Sequence, residues 1–440
     1  MKINKNLIDK ILMYLSITIF IVLTILKLIH HFPWADETMS WIIAKKLTFG
    51  NVLDILHKEG HFIIWYLLLL PFAKFNINYP YPMLIINWAA YVLAIIIMWK
   101  KAPFNSITKI AITFSWLSLN YFPIIARCYS IGILGLFILA SLYDKQIKKP
   151  YLYSIILVLT AHTSLLATFA VIPLTGIFLH NLYKNKHELQ LNNIIYPTII
   201  LAIGVFFWFL PFLNGYGYES GGIYKKAEFY SIISSFNSYS GYWYLFCYLA
   251  LLIIMQFFAN NKIKIFLNFS TIAFILFFSF IYYAYPHLCI FLLIYLIIAF
   301  WLTPNLHKIN GKTSLFFILF IILLYRNNLY NMSYAIKNPD KRPVIEFIKA
   351  QDKKGYIFLF YSEYDIIPYL HDYKIKTLDL KLQNEDPKII EKKVKKYMTK
   401  NKKYKRAYVL SNIPINIYTI GIELPPDNAK VLFITIYDKD

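Results

Sequence analysis

The chain has 440 residues, of which 58% are hydrophobic, 19% aromatic and only 15% charged, a balance that excludes an ordinary soluble globular protein and reads as mostly membrane. Its formal charge of +22 comes from basic residues dispersed between apolar runs and in a Lys-rich tail. No nucleic-acid motif accompanies them, so attraction of juxtamembrane lysines to anionic lipid accounts for the excess and no nucleic-acid partner is expected.

The first apolar run, Ile11 to Ile29, is followed by no small-residue cleavage site and is expected to remain as a transmembrane helix. A polar, amphipathic stretch from His30 to His61 comes next. Apolar runs then occupy 62–75, 81–99, 107–122, 126–143, 151–182, 193–213, 241–259, 264–284, 287–303 and 313–331. Two of them stay open to more than one reading: 62–75 either crosses or re-enters, and 151–182 is one long tilted helix or two shorter ones meeting near His162. The three cysteines, Cys128, Cys247 and Cys289, lie within these runs without paired or metal-ligand spacing and say little about redox compartment.

Lys2, Lys5 and Lys10 precede the first run, and Lys145, Lys148, Lys149, Lys184, Lys186, Lys262 and Lys264 mark later turns. By the positive-inside rule these positions are cytoplasmic and the 30–61 loop is outside. The expected architecture is a polytopic α-helical protein of an inner or plasma membrane, with about eleven crossings over residues 1–333. From about Tyr334 the composition turns soluble. "VIEFIKAQ" has helical spacing, "GYIFLFYS", "RAYVLS" and "VLFITIY" read as strands, and "DPKIIEKKVKKYMTKNKK" as a helix with Ile and Val on one face, so residues 334–440 are expected to form a small extracytoplasmic α/β domain.

Two adjacent acids stand out in "WADETMSWIIAKK", residues 34–46. On a helix, Asp36 shares a face with Met39, Ser40, Ile43 and Leu47, while Glu37 is rotated about 100° away. Asp36 is thereby expected on the apolar stripe, where a deep carboxylate costs about 2 to 3 kcal/mol and usually faces a cavity. An N-terminal helix cap is the competing reading, since carboxylates favour that end of the helix dipole. Adjacent acids cannot straddle one bond as a glycosidase pair does, so one is expected to act and the other to orient or anchor.

Further on, "HKEGHFIIWYLLLLPF" places Lys58, Glu59 and His61 at the start of an aromatic-rich helix, and "IIARCYSIGILGLFILASLYD", residues 124–144, contains Arg127 and Tyr129. An acidic pair outside the first span, an amphipathic loop, then "EGH" opening a helix and "ARCYSI" in a later one together resemble the GT-C superfamily of polyprenyl-phosphate-sugar-dependent glycosyltransferases. The likeness is to protein O-mannosyltransferases and to bacterial aminoarabinose transferases that modify lipid A. It spans roughly residues 7–331, with "LTAHTSLLATF" around His162 and "YYAYPHLCIF" around His287 as weaker matches. Phe62 and Ile63 stand where the family has two prolines, and Cys128 where it has another.

The resemblance implies transfer of a sugar from a polyprenyl-phosphate carrier to a protein, lipid or polysaccharide acceptor outside the membrane. Asp36 and Glu37 would be the catalytic pair, with Asp36 deprotonating the acceptor hydroxyl. Lys58, Glu59, His61, Arg127, Tyr129 and His162 would bind substrate, and cations among them would stabilise the departing phosphate. Arg127 is the foremost of these because a guanidinium in an apolar run demands an anionic partner and matches phosphate bidentately. An arginine that snorkels to headgroups is the competing reading, and a satisfied helix histidine competes for His162. Lys45 and Arg326 are further cations. The glycine- and tyrosine-rich loop 214–239 suits sugar recognition or a lid.

No cofactor and no divalent metal are expected, since monosaccharide-phosphate donors in these families generally need none. A transporter or flippase of lipid-linked glycan would bury its ionisable groups near the midplane in matched halves, whereas these acids cluster in the first outside loop. An O-antigen-type polymerase or ligase would rely on arginines in a large later outside loop, and 214–239 contains none.

Overall fold

The computed structural model describes residues 5–59, 62–212, 242–281, 288–307, 313–325, 339–351, 355–359, 361–371, 373–377, 387–400, 406–411, 419–423 and 431–438. The helices are α1 (Lys5–His30), α2 (Ala35–Lys46), α3 (Val52–Glu59), α4 (Ile63–Lys74), α5 (Tyr81–Lys101), α6 (Ser106–Thr113), α7 (Trp116–Asn120), α8 (Tyr129–Leu142), α9 (Pro150–Ala161) and α10 (Leu165–Lys184). They continue as α11 (Asn192–Phe209), α12 (Tyr242–Phe258), α13 (Asn261–Phe280), α14 (Ile290–Trp301), α15 (Ser314–Tyr325), α16 (Arg342–Ala350) and α17 (Pro387–Lys400). The strands are β1 (Tyr356–Leu359), β2 (Lys374–Thr377), β3 (Arg406–Ser411), β4 (Thr419–Glu423) and β5 (Val431–Asp438).

Among the described residues five helices are long and apolar enough to cross a membrane, Leu7–His30, Tyr81–Lys101, Leu165–Lys184, Asn192–Phe209 and Asn261–Phe280. The chain is a helical membrane protein. Shorter apolar helices of 10–17 residues cover Ile63–Lys74, Pro150–Ala161, Tyr242–Phe258, Ile290–Trp301 and Ser314–Tyr325.

The structure divides into two compact units. The helical unit comprises Met1–Ile29, Leu47–Pro71 and Met83–Ile336. Its helices approach closely through small residues: a Cβ on Gly135 of α8 would lie 2.3 Å from Thr160 Oγ1 of α9, and one on Gly204 of α11 would lie 2.4 Å from a Val158 methyl. Glycine at a contact brings backbones together where lipid offers no hydrophobic drive between helices. Two apolar runs break. Over 107–122, Ser115 becomes a helix N-cap that accepts from Ser118 N–H, so α6 stops and α7 restarts. Over 151–182 the polar triplet at 162–164 divides α9 from α10, with Ser164 capping the latter by accepting from Ala167 N–H at 3.1 Å. Of the two readings of that run, the structure adopts two helices.

The sheet unit comprises His30–Lys46, Phe72–Pro82 and Lys337–Asp440. Among the described residues, five strands run in the order β2-β1-β3-β5-β4. β2, β1 and β3 are parallel, while β5 lies antiparallel to both β3 and β4. The periodic helix over "VIEFIKAQ" is α16, burying Val344, Ile345 and Ile348, and the Lys-rich helix is α17, burying Ile390, Val394 and Met398. The core collects these α16 residues with Ile357, Ile366, Leu370, Tyr408, Leu410, Leu432 and Ile434. One member comes from far away in sequence: Phe32, 3% exposed, is part of the same cluster.

Candidate functional site

Helix α2 starts because Glu37 folds back on its own N-terminus. Trp34 occupies the cap position, its carbonyl accepting from Glu37 and Thr38 N–H at 3.1 Å each, and its N–H donates to Glu37 Oε2 at 3.0 Å. That is the acid half of a capping box. Glu37 thus makes the cap bond, with Asp36 beside it in the first turn of α2.

Glu37 is fully enclosed, and His31 Nε2–H donates to its two oxygens at 2.9 and 3.1 Å. His31 Nδ1 is buried and has no hydrogen-bond partner among the described residues. The buried face of α2 is Glu37, Thr38, Ser40, Trp41, Ile43 and Ala44, a stripe at spacings of three, four and seven. Of the face assigned from the sequence, Ser40, Ile43 and Leu47 are buried, while Met39 is 38% exposed and Asp36 is half-buried. The physical reason is that α2 packs within its unit against polar and aromatic groups, Tyr79 among them. Glu37, bonded to His31 and to Trp34 N–H, goes inside, and Asp36 stays half-buried.

Around this helix the sheet unit builds an aromatic chain. Thr38 Oγ1 and Tyr79 OH are 2.7 Å apart, and Trp41 meets the Tyr79 ring edge-on at 5.1 Å. Tyr79 in turn meets Tyr369 at 4.8 Å, and Tyr369 stacks on Phe32 at 5.7 Å. Burial of the Tyr79 hydroxyl, with Tyr369 beside it, pushes its ionisation well above the ordinary phenol value. Lys45, at the C-terminal end of α2, donates to Asn76 Oδ1 at 2.5 Å.

A second cluster lies wholly inside the helical unit. The link between α7 and α8 is non-helical, and buried polar groups satisfy it: Asn87 Nδ2 and Ser130 Oγ both donate to Phe122 O, at 2.8 and 2.6 Å. Irregular backbone among apolar helices survives only when it is satisfied in this way. Arg127 sits in this link, 8% exposed, with its guanidinium 5.8 Å from the Tyr129 ring centre. The expected helix over 126–143 thus begins only at Tyr129, its cap position held by Cys128, which makes no side-chain cap bond. Arg127 stands beside the positive end of the α8 dipole.

His162 caps the C-terminus of α9, 9% exposed, and its Nε2–H donates to Gly204 O at 3.0 Å. Its carbonyl accepts from Ile64 N–H at 3.3 Å, and its ring meets Phe62 at 6.1 Å. A Cβ on Gly132, in the first turn of α8, would lie 3.0 Å from Thr163 Oγ1. The start of α4, the start of α8 and the break between α9 and α10 therefore meet in one place. A shallow apolar groove of about 240 Å³ between α9 and α11 ends at His162, lined by Val158, Leu159, Ile203 and Phe207 among others.

Of the residues singled out by sequence, Asp36 and Glu37 fall in the sheet unit, and Arg127, Tyr129 and His162 in the helical unit. His61, His287, Arg326 and the loop 214–239 lie outside the described residues, as do the side chains of Lys58 and Glu59. Among the described residues no group of three or more His, Cys, Asp or Glu gathers to hold a metal. Sequence reasoning missed His31, Tyr79 and Tyr369. His31 precedes the acids by one turn and a half and carried a local signal, but Tyr79 and Tyr369 carried none, because nothing short of the fold brings them to α2.

Compared with known protein families, curated proteins and solved structures, the chain matches none.

Proposed function

We propose that this chain is a membrane glycosyltransferase of GT-C type, with about eleven crossings and its C-terminal domain outside, that moves one sugar from a polyprenyl-phosphate carrier to an extracytoplasmic acceptor. The observation that carries the reading is the meeting of the segment after "EGH", the first turn of α8 at Gly132, and the His162 break, three separate stretches of the resemblance packed together in the helical unit. Arg127 at the N-terminal end of α8 suits a phosphate, because guanidinium and helix dipole favour an anion jointly. The apolar groove ending at His162 suits an isoprenoid tail.

In the reaction, the acceptor O–H gives its proton to the Asp36 carboxylate as its oxygen attacks the anomeric carbon. The bond from that carbon to the carrier phosphate oxygen breaks, polyprenyl phosphate leaves, and one direct displacement inverts the centre. Arg127 stabilises the charge that develops on the departing phosphate. Glu37 is a positioning residue that fixes the first turn of α2, consistent with its enclosure by His31. No metal or other cofactor is required.

The test compares wild type with Asp36→Asn in membranes supplied with candidate polyprenyl-phosphate sugars, with expression verified. Loss of roughly a hundred- to ten-thousand-fold in transfer is expected. Full activity in the variant would sink the assignment of the base, and flipping of labelled lipid by purified protein without any glycosidic product would replace the enzyme with a transporter.

A further inference from the structure

The sheet unit contains the acid-bearing helix α2 as an integral part, and the contacts that hold α2 can be followed residue by residue. The 3-10 helical segment Tyr361–Leu370 is pinned at two points. Asp365, 1% exposed, accepts from the Lys341 ammonium at 3.0 and 3.1 Å, and Ile366 and Leu370 lie in the core under the sheet. A paired charge in a core tolerates little displacement, because moving either partner uncovers the other.

Tyr369, on this fixed segment, stacks on Phe32 and meets Tyr79 edge-on. Phe32 is two residues ahead of Trp34, the cap residue of α2. Tyr79 holds Thr38 by its hydroxyl and Trp41 by its ring. The positions grasped on α2 are therefore its approach and its first two turns, the stretch that contains Asp36. The far end of α2 is held separately by Lys45 and Asn76.

We propose that the C-terminal domain positions the reactive acid: Tyr369, acting through Tyr79 and Phe32, is the residue that locks the first turns of α2 and so sets where Asp36 stands. Its bearing on catalysis rests on the glycosyltransferase reading, but the locking itself does not. Tyr369 is a positioning residue, since its contacts are to Tyr79 and Phe32.

The test uses the full-length protein in detergent or nanodiscs and follows amide hydrogen exchange over residues 35–46 and over β3 and β5, together with sugar transfer. Tyr369→Ala is expected to speed exchange in 35–46 by about tenfold or more while β3 and β5 keep wild-type protection. Tyr369→Phe, which retains the stacked ring, is expected to restore wild-type exchange. In transfer, Tyr369→Ala is expected to lower kcat with KM for the lipid donor unchanged, and Tyr369→Phe to recover it.

Wild-type protection of 35–46 in Tyr369→Ala with the sheet intact would overturn the proposal. Should that variant open β3 and β5 as well, Tyr369→Leu, which fills the site without a ring, takes its place under the same criterion. A kcat unchanged in a variant whose α2 has loosened would overturn the catalytic part alone. If wild type transfers no sugar yet Tyr369→Ala loosens α2, the function proposed above falls and the locking stands.

Discussion

The two units satisfy their buried polar groups by different means. In the helical unit, hydroxyls turn back to carbonyls one helical turn away, as Thr24 does to Phe20 O at 2.8 Å, Ser270 to Phe266 O at 2.8 Å and Thr303 to Ala299 O at 2.7 Å. Longer-range bonds end either on backbone, as Tyr295 OH does on Leu166 O at 2.5 Å, or on an uncharged side chain, as between Tyr248 OH and Thr271 Oγ1 at 2.7 Å. In the sheet unit, buried ionisable groups find each other: Glu37 with His31 and Lys341 with Asp365. Every residue offers a carbonyl, so the first solution constrains sequence little and tolerates substitution. The second requires a named partner, so its failures should be large and specific.

That contrast orders the expected effects. The largest is Asp365→Ala, which leaves the Lys341 ammonium in the core without this carboxylate and should destabilise the sheet unit by about 3 to 5 kcal/mol. Denaturant unfolding followed over β3 and β5 by hydrogen exchange measures it, and adding Lys341→Met to remove the stranded charge should recover most of the loss. An unchanged midpoint in Asp365→Ala would dissolve the contrast.

In the helical unit the sharpest probe is steric rather than electrostatic. Gly135→Ala would set a methyl 2.3 Å from Thr160 Oγ1 and 3.0 Å from Thr160 Cβ, so the whole β-branched side chain must move. Overpacking of this kind costs about 1 to 3 kcal/mol, which outweighs the 0.5 to 1 kcal/mol, roughly, that alanine gains in a helix. A lowered thermal midpoint in detergent that is partly restored by Thr160→Ala would confirm the contact, and additivity of the two changes would refute it.

Tyr79→Phe, which deletes the bond to Thr38, should cost about 0.5 to 1.5 kcal/mol at neutral pH. It carries a pH signature as well. The unfolded phenol ionises near its ordinary value, while burial raises the folded one well above it. Stability from this group is thus whole below about pH 10 and falls as pH rises beyond it. Melting of the sheet unit measured through that window should decline less steeply in Tyr79→Phe than in wild type. At the small end, Arg342 and Asp340 pair at the surface, where Asp340 raises the already high guanidinium value by a direct bond. Solvent screening limits Arg342→Ala to less than about 1 kcal/mol.

The same division explains what could be read without a structure. Hydropathy located the apolar helices, because each needs only its own residues to satisfy its backbone; α5, α10, α11 and α13 all lie on expected runs, each passing one end by a few residues at most. The breaks at 113–116 and 162–164 were weakly marked, since a serine or threonine is as compatible with a helix interior as with a cap until its neighbours decide. Runs of aromatic and aliphatic residues in the tail located β1, β3 and β5, whereas β2 reads KIKT and β4 reads TIGIE, and their signal is lost among turns. The site was legible only in part. The acids were conspicuous, but periodicity put Asp36 inside and Glu37 beside it, and the outcome turned on His31 and Trp34. A helical wheel ranks faces by hydropathy, and a partnered carboxylate defeats that ranking.

Phe32 leads to a last consequence, for biosynthesis. The ribosome releases this phenylalanine and the acid-bearing helix long before Ile434, a member of the same hydrophobic cluster. The loop that follows the first membrane helix must wait, unsupported, through insertion of every helix between, and any nascent chain cut short before the tail carries that loop without the partners that give it shape.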